Sequence, residues 1–393
     1  MTVNPLRKHW RLNPDIDFLN HGSFGATPSI VLEKQRQWID QLEYDPIEFL
    51  APERTLLPKL DHVRQVIGEL VSCNPADIAF VRNATEGVNA VLRSFPFAPG
   101  DEVLVTNHGY NACNNAVHFA ASRCGATMQV AEIPFPIQSA DQVAQAIERY
   151  LTDKTRLLLI DHVTSPTGLV FPVNDIIKIA HRRNVRVIVD GAHAPGMVPV
   201  DLRQINADYY TANHHKWLCA PKTSGFLYVA PQWQPEVRPT TISHGANTES
   251  YGKSRFLAEF NWIGTYDPTP ILSVPTAIDF LNRLGPGGIT ELCLANRSLV
   301  LAGREKLLNA LEIESPAPPA MIGSLASIPI ATQDRRAFSD ATTLQRRLYD
   351  EYRIEVPVFK LNDQLHCLRI SAQAYNVIEQ YERLAIALRN ELK

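Results

Sequence analysis

The chain has 393 residues, 45% of them hydrophobic and 20% charged, and its formal net charge of −3 gives no electrostatic reason to expect a nucleic acid or an anionic membrane as a partner. Its six cysteines are scattered without a Cys-x-x-Cys pair, so disulfide frameworks and metal sites are not expected. The same pattern predicts a reducing compartment, the cytoplasm. The N-terminus lacks the apolar region of a secretory signal, and no stretch approaches the roughly 20 apolar residues that span a bilayer.

Short apolar runs alternate with helix-like segments between residues 60 and 230. Strands are predicted at 78–81, 102–106, 128–133, 156–160, 185–189, 208–212 and 225–229. Helices are predicted at 86–93, 114–122, 141–151 and 173–182. Several strands are continuously apolar, as expected for strands buried on both faces. The alternation predicts a doubly wound α/β fold with a mostly parallel sheet, whose ligand lies beyond the carboxyl ends of the strands.

A proline-rich stretch at 231–239 ends this region. Helical patterning resumes at 271–284 and 289–311, and strand-like runs follow at 321–330 and 366–371 before a final helix from about Val377. This order predicts a second, smaller α+β domain.

Two residues at neighbouring strand ends suggest a cofactor. The run 185–189 ends in Asp190, and Lys216 follows the strand-like run 207–212 and precedes an apolar stretch that would lower its pKa. A lysine and a carboxylate so placed suit pyridoxal 5′-phosphate (PLP), since the amine can form a Schiff base with its aldehyde and the carboxylate can keep the ring nitrogen protonated. The alternatives are a surface lysine and a helix-capping aspartate.

Residues 81–90 have the pattern of a strand end, a helix cap and a helix start. This is either an ordinary capped helix or a helix whose N-terminus binds the PLP phosphate. Asn213 and His215 are candidate further donors. Tyr110, after a strand end, is either a half-buried aromatic or a stacking partner of the ring. Arg369, in a strand-like run, is either part of an ion pair or a clamp on a substrate carboxylate. Nucleotide-binding loops of the two common glycine patterns are absent.

Seven stretches in order resemble the class V aminotransferase family of fold-type I PLP enzymes, with the isopenicillin N epimerase-like branch as the nearest. They are residues 18–25, 83–87, 161–168, 190–193, 215–217, 262–267 and 369–376. The resemblance implies a mostly parallel seven-stranded sheet sandwiched by helices, with a smaller α+β C-terminal domain. It also implies an N-terminal segment (1–20) that packs on the small domain, a large PLP-binding domain (21–265) and a small domain (266–393).

The resemblance implies roles for individual residues. The catalytic set would be Lys216 (covalent link to PLP), Asp190 (ring nitrogen), His193 (ring hydroxyl) and Tyr110 (ring stacking). The phosphate would be held by Ala84, Thr85 and His215, and Ser165 would lie near the ring hydroxyl or the substrate. Arg369 would bind the substrate carboxylate, and Asn20 and His21 would border the substrate pocket. Thr265 would reach the cofactor phosphate of a neighbouring subunit, so a homodimer is expected.

The expected activity is chemistry at the Cα of an amino acid or a small peptide-like derivative, epimerase-like, with a C–S (β-elimination) lyase or an aminotransferase as alternatives. Epimerisation needs a proton donor across the ring from Lys216, for which Tyr110 and His21 are candidates. Cysteine desulfurases of this family carry a nucleophilic cysteine on a loop well before the arginine, whereas Cys367 lies within the strand-like run of Arg369, so that route is disfavoured. A non-catalytic PLP-binding regulator is disfavoured because the chain has no basic excess.

Overall fold

The structure is a computed structural model that describes residues 4–247, 250–331, 341–363 and 365–392. Within them the strands are β1 (Asp17–Phe18), β2 (Ile78–Val81), β3 (Glu102–Thr106), β4 (Thr127–Ala131), β5 (Thr155–Asp161), β6 (Arg186–Asp190), β7 (Tyr209–Asn213), β8 (Gly225–Val229), β9 (Leu325–Ala331), β10 (Ile354–Glu355), β11 (Val358–Asn362) and β12 (Leu365–Ser371).

The α-helices of the same residues are α1 (His21–Phe24), α2 (Ser29–Tyr44), α3 (Pro46–Leu50), α4 (Leu57–Leu70), α5 (Ala84–Ser94), α6 (Asn111–Arg123), α7 (Asp141–Tyr150), α8 (Val173–Arg182), α9 (Leu202–Ile205), α10 (Arg255–Asn261), α11 (Thr269–Leu272), α12 (Val274–Asn282), α13 (Gly288–Leu311), α14 (Ala341–Asp350) and α15 (Ile378–Glu391). A π-helical turn spans Pro52–Leu56, and 3₁₀ turns span Pro5–His9, Pro75–Asp77, Pro231–Trp233, His244–Ala246 and Pro319–Met321. None of these helices combines the length and the apolar character needed to span a bilayer.

The central sheet has seven strands in the order β2-β8-β7-β6-β5-β3-β4. Strand β8 runs antiparallel to both of its neighbours, and every other pair is parallel. Helices cover both faces, and a smaller C-terminal unit accompanies the sheet, so the predicted fold class is confirmed. Each predicted strand of the region is present, with bounds that differ by a few residues at most.

The strands of the sheet centre are buried on both faces, and their side chains alternate between two cores. In β6, Val187 and Val189 belong to the core beneath α4 and α8, whereas Ile188 belongs to the core beneath α5 and α6. Because side chains alternate along a strand, Asp190 at the end of β6 points to the α5/α6 face. The same alternation in β5 brings Asp161 to that face beside it.

The C-terminal unit is built on an antiparallel sheet of order β11-β12-β9, and helices α13 and α15 pack on each other beside it. The chain's beginning contacts this unit: β1 pairs in parallel with β10, and Arg383 forms a two-pronged ion pair with Asp17. The predicted helix 271–284 is divided at Ser273 into α11 and α12, since Pro275 supplies no N–H and begins a new helix. The predicted strand 321–330 starts later, at Leu325.

Helix α5 lies directly on β7, and Gly87 allows this close contact. A Cβ atom at Gly87 would lie 2.1 Å from Thr211 Oγ1 and 2.8 Å from Thr211 Cβ. Thr211 is itself held by its hydrogen bond to Phe226 O at 2.9 Å. The sheet therefore fixes where the N-terminus of α5 points.

We expect Gly87→Ala to lower the free energy of unfolding by about 1–3 kcal/mol, because the added methyl group overpacks the contact with Thr211. Chemical denaturation followed by circular dichroism measures this. Arg93→Ala, at an exposed position of the same helix, is the control and should change stability by less than about 0.5 kcal/mol. Equal stability of the two variants would contradict the packing argument.

Candidate active site

The carboxyl ends of the parallel strands meet around one cavity. Asp161, Asp190 and Asn213 are the last residues of β5, β6 and β7, as expected for a ligand site in a sheet of this kind. The cavity has a volume of about 220 Å³. Its lining comprises Ser23, Phe24, Asn83, Ala84, Thr85, Tyr110, Asp161, Ser165, Asp190, Ala192, His193, Asn213, His215 and Lys216.

A chain of hydrogen bonds favours the uncharged form of Lys216. The indole Nε1–H of Trp217 donates to His193 Nδ1 at 3.2 Å, so this nitrogen carries no proton. The proton of the neutral ring therefore lies on Nε2, which is 3.0 Å from Lys216 Nζ. An Nε2–H can only donate, so Lys216 accepts the bond through the lone pair of an uncharged amine. A protonated His193 would not fit, because it would leave Trp217 facing a second donor.

The electrostatics of the cavity favour the same state. Burial, and then the charge of Arg369, lower the pKa of Lys216 to about 8. Burial also lowers the pKa of His193 well below its ordinary value, assisted by the charges of Lys216 and Arg369. A weakly basic, desolvated lysine is the form that attacks a carbonyl carbon.

Two buried carboxyl groups lie side by side opposite the lysine. Asp190 and Asp161 are register partners on neighbouring strands, and burial raises the pKa of both. Asp190 accepts from Ala192 N at 2.9 Å and from Cys113 Sγ at 3.3 Å, and these donors stabilise its charged form. The nearby charge of Asp190 raises the pKa of Asp161 further. We therefore assign the negative charge to Asp190 and the proton to Asp161.

The N-terminus of α5 forms another wall. Asn83 Oδ1 accepts from Glu86 N at 2.9 Å, and Asn213 Oδ1 accepts from Ala84 N at 2.8 Å. The N–H of Thr85 donates to no acceptor within the described residues and remains available to an anion. The predicted donors Ala84 and Asn213 are thus engaged with each other, and Asn213 positions the helix end.

His215 completes this wall. Its Nδ1 lies 3.3 Å from Ser224 O and donates to it, which leaves Nε2 unprotonated in the neutral ring. Burial and the charge of Lys216 lower the pKa of His215 to about 4. An anion at Nε2 would favour the protonated ring, which could then donate to it.

Arg369 reaches the cavity from β12. One terminal nitrogen, Nη1, donates to Ser165 O and, at 3.1 Å, to Ser165 Oγ, and Nη2 donates to Ser23 Oγ at 3.1 Å. The Nε–H is buried without a partner, and the contacts of the guanidinium within the described residues are with serine oxygens and not with a carboxylate. A buried arginine with neutral partners only is poised for an anionic ligand.

Four of the predicted site residues are absent from the lining of this cavity. Arg369 contacts two of its lining residues, Ser165 and Ser23, whereas the other three do not border it in this way. Asn20 lies behind it, bonded to Glu355 Oε1 at 2.8 Å and to Ser23 Oγ at 2.6 Å. His21 is fully buried beneath the lysine, and its ring contacts the Lys216 carbonyl oxygen. Thr265 lines a different groove, of about 570 Å³.

The sequence reasoning did not assign roles to Asp161, Ser23, Phe24 or Cys113. Asp161 carries the same signal as Asp190, a carboxylate that directly follows an apolar strand-like run, and could have been found by it. Cys113 and Ser23 reach the site through tertiary contacts with Asp190 and Arg369, for which the sequence contains no local signal.

This donor set fits PLP. A neutral buried amine suits its aldehyde, the charged Asp190 suits a protonated ring nitrogen, and the free N–H of Thr85 at a helix N-terminus suits its phosphate. The buried Nε–H of Arg369, which has no partner within the described residues, suits an anionic group of a ligand.

Comparison with known proteins agrees with this fit. The model of the aminotransferase class-V family matches residues 53–384. The chain is 32% identical to a probable chloroplastic L-cysteine desulfhydrase of Arabidopsis thaliana, over 96% of this chain and 83% of that protein. It is 33% identical to isopenicillin N epimerase of Amycolatopsis lactamdurans, over 98% of this chain and 97% of that protein.

The fold is also similar to that of a solved structure. A variant of C-DES with glycine covalently linked to its PLP cofactor superposes with a TM-score of 0.82 at 23% identity, covering 98% of this chain and 100% of that one. The match of the family spans most of the chain and includes every strand of the central sheet. The chain therefore belongs to the class-V aminotransferase family and is a PLP-dependent enzyme.

Proposed function

We propose that this enzyme is a PLP-dependent lyase that removes the Cα proton of a small sulfur-containing amino acid and expels the sulfur from Cβ. The observation that carries the proposal is the hydrogen bond from His193 Nε2 to Lys216 Nζ, which keeps the one amine of the cavity lining in its basic form. The similarity to an L-cysteine desulfhydrase supports the choice of reaction.

Different residues of the cavity would bind different parts of the cofactor. When bound, PLP supplies an electron sink that makes the Cα proton of an attached amino acid acidic. Lys216 would form the covalent link, and Asp190 would hold its negative charge beside the ring nitrogen. Thr85 and His215 would donate to the phosphate, with Ala84 and Asn213 as the capped helix end beneath it. His193 and Ser165 would border the ring hydroxyl, and Tyr110 would cover the ring face.

Arg369 would bind the substrate carboxylate. Its two terminal nitrogens are already oriented by Ser165 and Ser23, and a carboxylate would supply the negative charge that the described surroundings lack. Because Ser165 and Ser23, which orient Arg369, line the same cavity as Lys216, one small amino acid would contact both the guanidinium and the amine.

Lys216 would act as the base, since its amine lines the cavity and its uncharged form is favoured. Its Nζ would take the Cα proton, the electron pair of that bond would end in the Cα=Cβ bond, and the Cβ–S bond would break with sulfur leaving as a thiolate. The proton held by Lys216 can then pass to the departing sulfur. Water would then hydrolyse the released enamine to pyruvate and ammonia. This elimination needs a single acid–base group, and Lys216 provides it.

Epimerisation is a second candidate, favoured by the position of Tyr110. In the sheet order, Lys216 follows β7 and Tyr110 follows β3, so they approach the cavity from opposite sides of Asp190 and Asp161. Tyr110 is 44% exposed and carries a phenol proton that could be delivered to the face opposite Lys216. The similarity to an isopenicillin N epimerase supports this alternative. His21, the other candidate donor, is sealed beneath the lysine.

A homodimer would complete the site. Thr265 lines the groove of about 570 Å³, an apolar surface that also contains Trp262 and the exposed side chains of Ile47 and Tyr251. A second copy seated on this groove would bury it and bring Thr265 to the cofactor phosphate of its partner. Exposed apolar side chains clustered on one surface are typical of a protein–protein interface.

All six cysteines of the enzyme are free thiols. This supports our prediction that the enzyme resides in a reducing compartment, the cytoplasm.

The purified enzyme should release sulfide and pyruvate from L-cysteine without any added 2-oxo acid. Lys216→Ala is expected to lose this activity together with the visible absorbance band of the lysine–PLP link, because the base and the covalent link are the same amine. Lys178→Ala, at an exposed lysine of α8, is the control and should retain both. Racemisation with Cα–deuterium exchange but no pyruvate would replace the lyase by the epimerase, in which case Tyr110→Phe should abolish the racemisation.

The uptake of PLP by the apo-enzyme should depend on pH. Burial and the charge of Arg369 lower the pKa of Lys216 to about 8, and only its uncharged form attacks the aldehyde. The rate of band formation in stopped-flow absorbance should therefore rise with pH, with its midpoint at about pH 8, and level off above about pH 9. Arg369→Gln should move the midpoint to higher pH, whereas Arg182→Gln, at an exposed site, should not. A midpoint that stays in place in Arg369→Gln would refute this electrostatic account.

Subunit mixing tests the homodimer. Thr265→Ala should weaken PLP binding about 10-fold or more if its hydroxyl donates to a phosphate, a charge-assisted bond worth about 1.5–3 kcal/mol. When Thr265→Ala and Lys216→Ala chains are co-expressed, each mixed dimer regains one site with both residues. A class of sites with wild-type PLP affinity is the expected result. Its absence from verified mixed dimers would show that Thr265 does not act across the interface.

A further inference from the structure

His21 connects the backbone of Lys216 to the end of β12. Its ring Nε2 lies 2.9 Å from Lys216 O, and its Nδ1 lies 2.7 Å from the hydroxyl of Tyr375. Its backbone N–H donates to Ser371 Oγ at 2.7 Å, and Ser371 is the last residue of β12. The side chain is fully buried, with its ring 5.0 Å from the ring of Trp217.

The hydrogen-bond partners assign a single tautomer to this ring. Lys216 O can only accept, so His21 Nε2 carries the proton and donates, and Nδ1 accepts from the Tyr375 hydroxyl. Burial lowers the pKa of His21 to about 3, so the ring is neutral at every working pH. A neutral, fully buried imidazole cannot donate a proton to the substrate. The His21 ring instead links Lys216 and Tyr375 through two hydrogen bonds.

The residues that follow His21 contact the rest of the site. Ser23 Oγ accepts from Arg369 Nη2 at 3.1 Å, so the same short helix touches both the lysine and the arginine. Gly25 has a φ of 68°, and a Cβ there would lie 1.9 Å from His215 O, so its backbone lies directly against the lysine loop (residues 214–222). Lys222 of that loop donates to Gly25 O at 3.3 Å.

We propose that residues 21–25 act as a positioning clamp that sets the distance between the amine of Lys216 and the guanidinium of Arg369. His21 is the positioning residue of this clamp and acts through the Lys216 carbonyl. The proposal rests on the proposed function, in which Arg369 holds the substrate carboxylate while Lys216 takes the Cα proton. It assigns His21 a role different from the substrate contact predicted from the sequence.

The geometry explains why such a clamp is needed. Lys216 and Arg369 lie on separate units of the fold, and each contributes a long side chain to one small substrate. A misplacement of about 1 Å between reacting groups can cost about 100-fold in rate. The clamp contacts the backbone carbonyl of Lys216, so a shift at this contact would move the whole lysine side chain. Its other contact is with Ser371 of β12, two residues beyond Arg369.

Two substitutions at His21 separate positioning from packing. In His21→Gln the side-chain amide can take the place of Nε2 and donate to Lys216 O, whereas the shorter side chain of His21→Asn matches Nδ1 and loses that bond. We expect kcat of the holoenzyme to fall about 10–100-fold in His21→Asn, with KM changed less than about 3-fold, and to stay within about 5-fold in His21→Gln. The Cα-deuterium isotope effect on kcat should increase in His21→Asn only, because proton removal becomes slower than the other steps.

A purely structural role would give a different pattern. Both variants would then lose activity in proportion to their loss of thermal stability, with an unchanged isotope effect, and this result would overturn the proposal. If His21→Asn does not fold, Tyr375→Phe provides the test, since it removes the bond that orients the ring and should cause a smaller fall in kcat with the same rise in the isotope effect. An unchanged isotope effect there would equally overturn it.

A readout that needs no substrate keeps the two proposals separate. The rate at which added PLP forms its link with Lys216 should fall in His21→Asn and be retained in His21→Gln. If the wild-type enzyme turns over no sulfur amino acid but the variants differ in this rate as expected, the proposed function fails and the clamp stands. If the wild type is an active lyase and the variants take up PLP at equal rates, the clamp fails alone.

Discussion

The indole N–H of Trp217 can only donate, and this one constraint sets the protonation of the cavity. It places the His193 proton on Nε2 and makes Lys216 Nζ an acceptor, which favours the uncharged form of the amine. The constraint is strong because Trp217 is fully buried in the main core and cannot turn away. Gly196 lies against its backbone at a φ of 85°, where a Cβ would be 2.7 Å from Trp217 C. The chemistry of the lysine thus depends on how tightly an aromatic side chain is packed.

The charged groups of the site influence one another's pKa without forming direct ion pairs. Lys216 and Arg369 each lower the pKa of the groups around them, whereas Asp190 and Asp161 act in the opposite sense on the lysine. None of these four groups is paired in a direct ion pair among the described residues. An arrangement of this kind leaves each group free to meet a charged part of a ligand, which a set of closed ion pairs would prevent.

Much of the central sheet could be predicted from the sequence because its strands are buried on both faces and appear as continuous apolar runs. Asp190 could be found because it directly follows such a run, and Lys216 because it comes shortly after the next strand-like run. The break of the helix between Leu272 and Val274 was missed, although Pro275 marks it. The environment of His21 could not be predicted, since its partners Lys216, Ser371 and Tyr375 are distant in the chain and no local pattern records those contacts.

The unliganded site carries a cost in stability that its ligands can remove. The Nε–H of Arg369 is buried without an acceptor, and an unpaired buried donor costs about 1–3 kcal/mol. Burial also lowers the pKa of Arg369 to about 10, which shows that the surroundings oppose its charge even though the charge is retained. A substrate carboxylate would satisfy the donor and the charge together, so the free energy that the fold spends in holding Arg369 unpaired returns as binding energy. Strand β12 carries Arg369 and also holds His21 through Ser371. Binding of the substrate carboxylate would therefore stabilise the same strand that, through His21, positions Lys216.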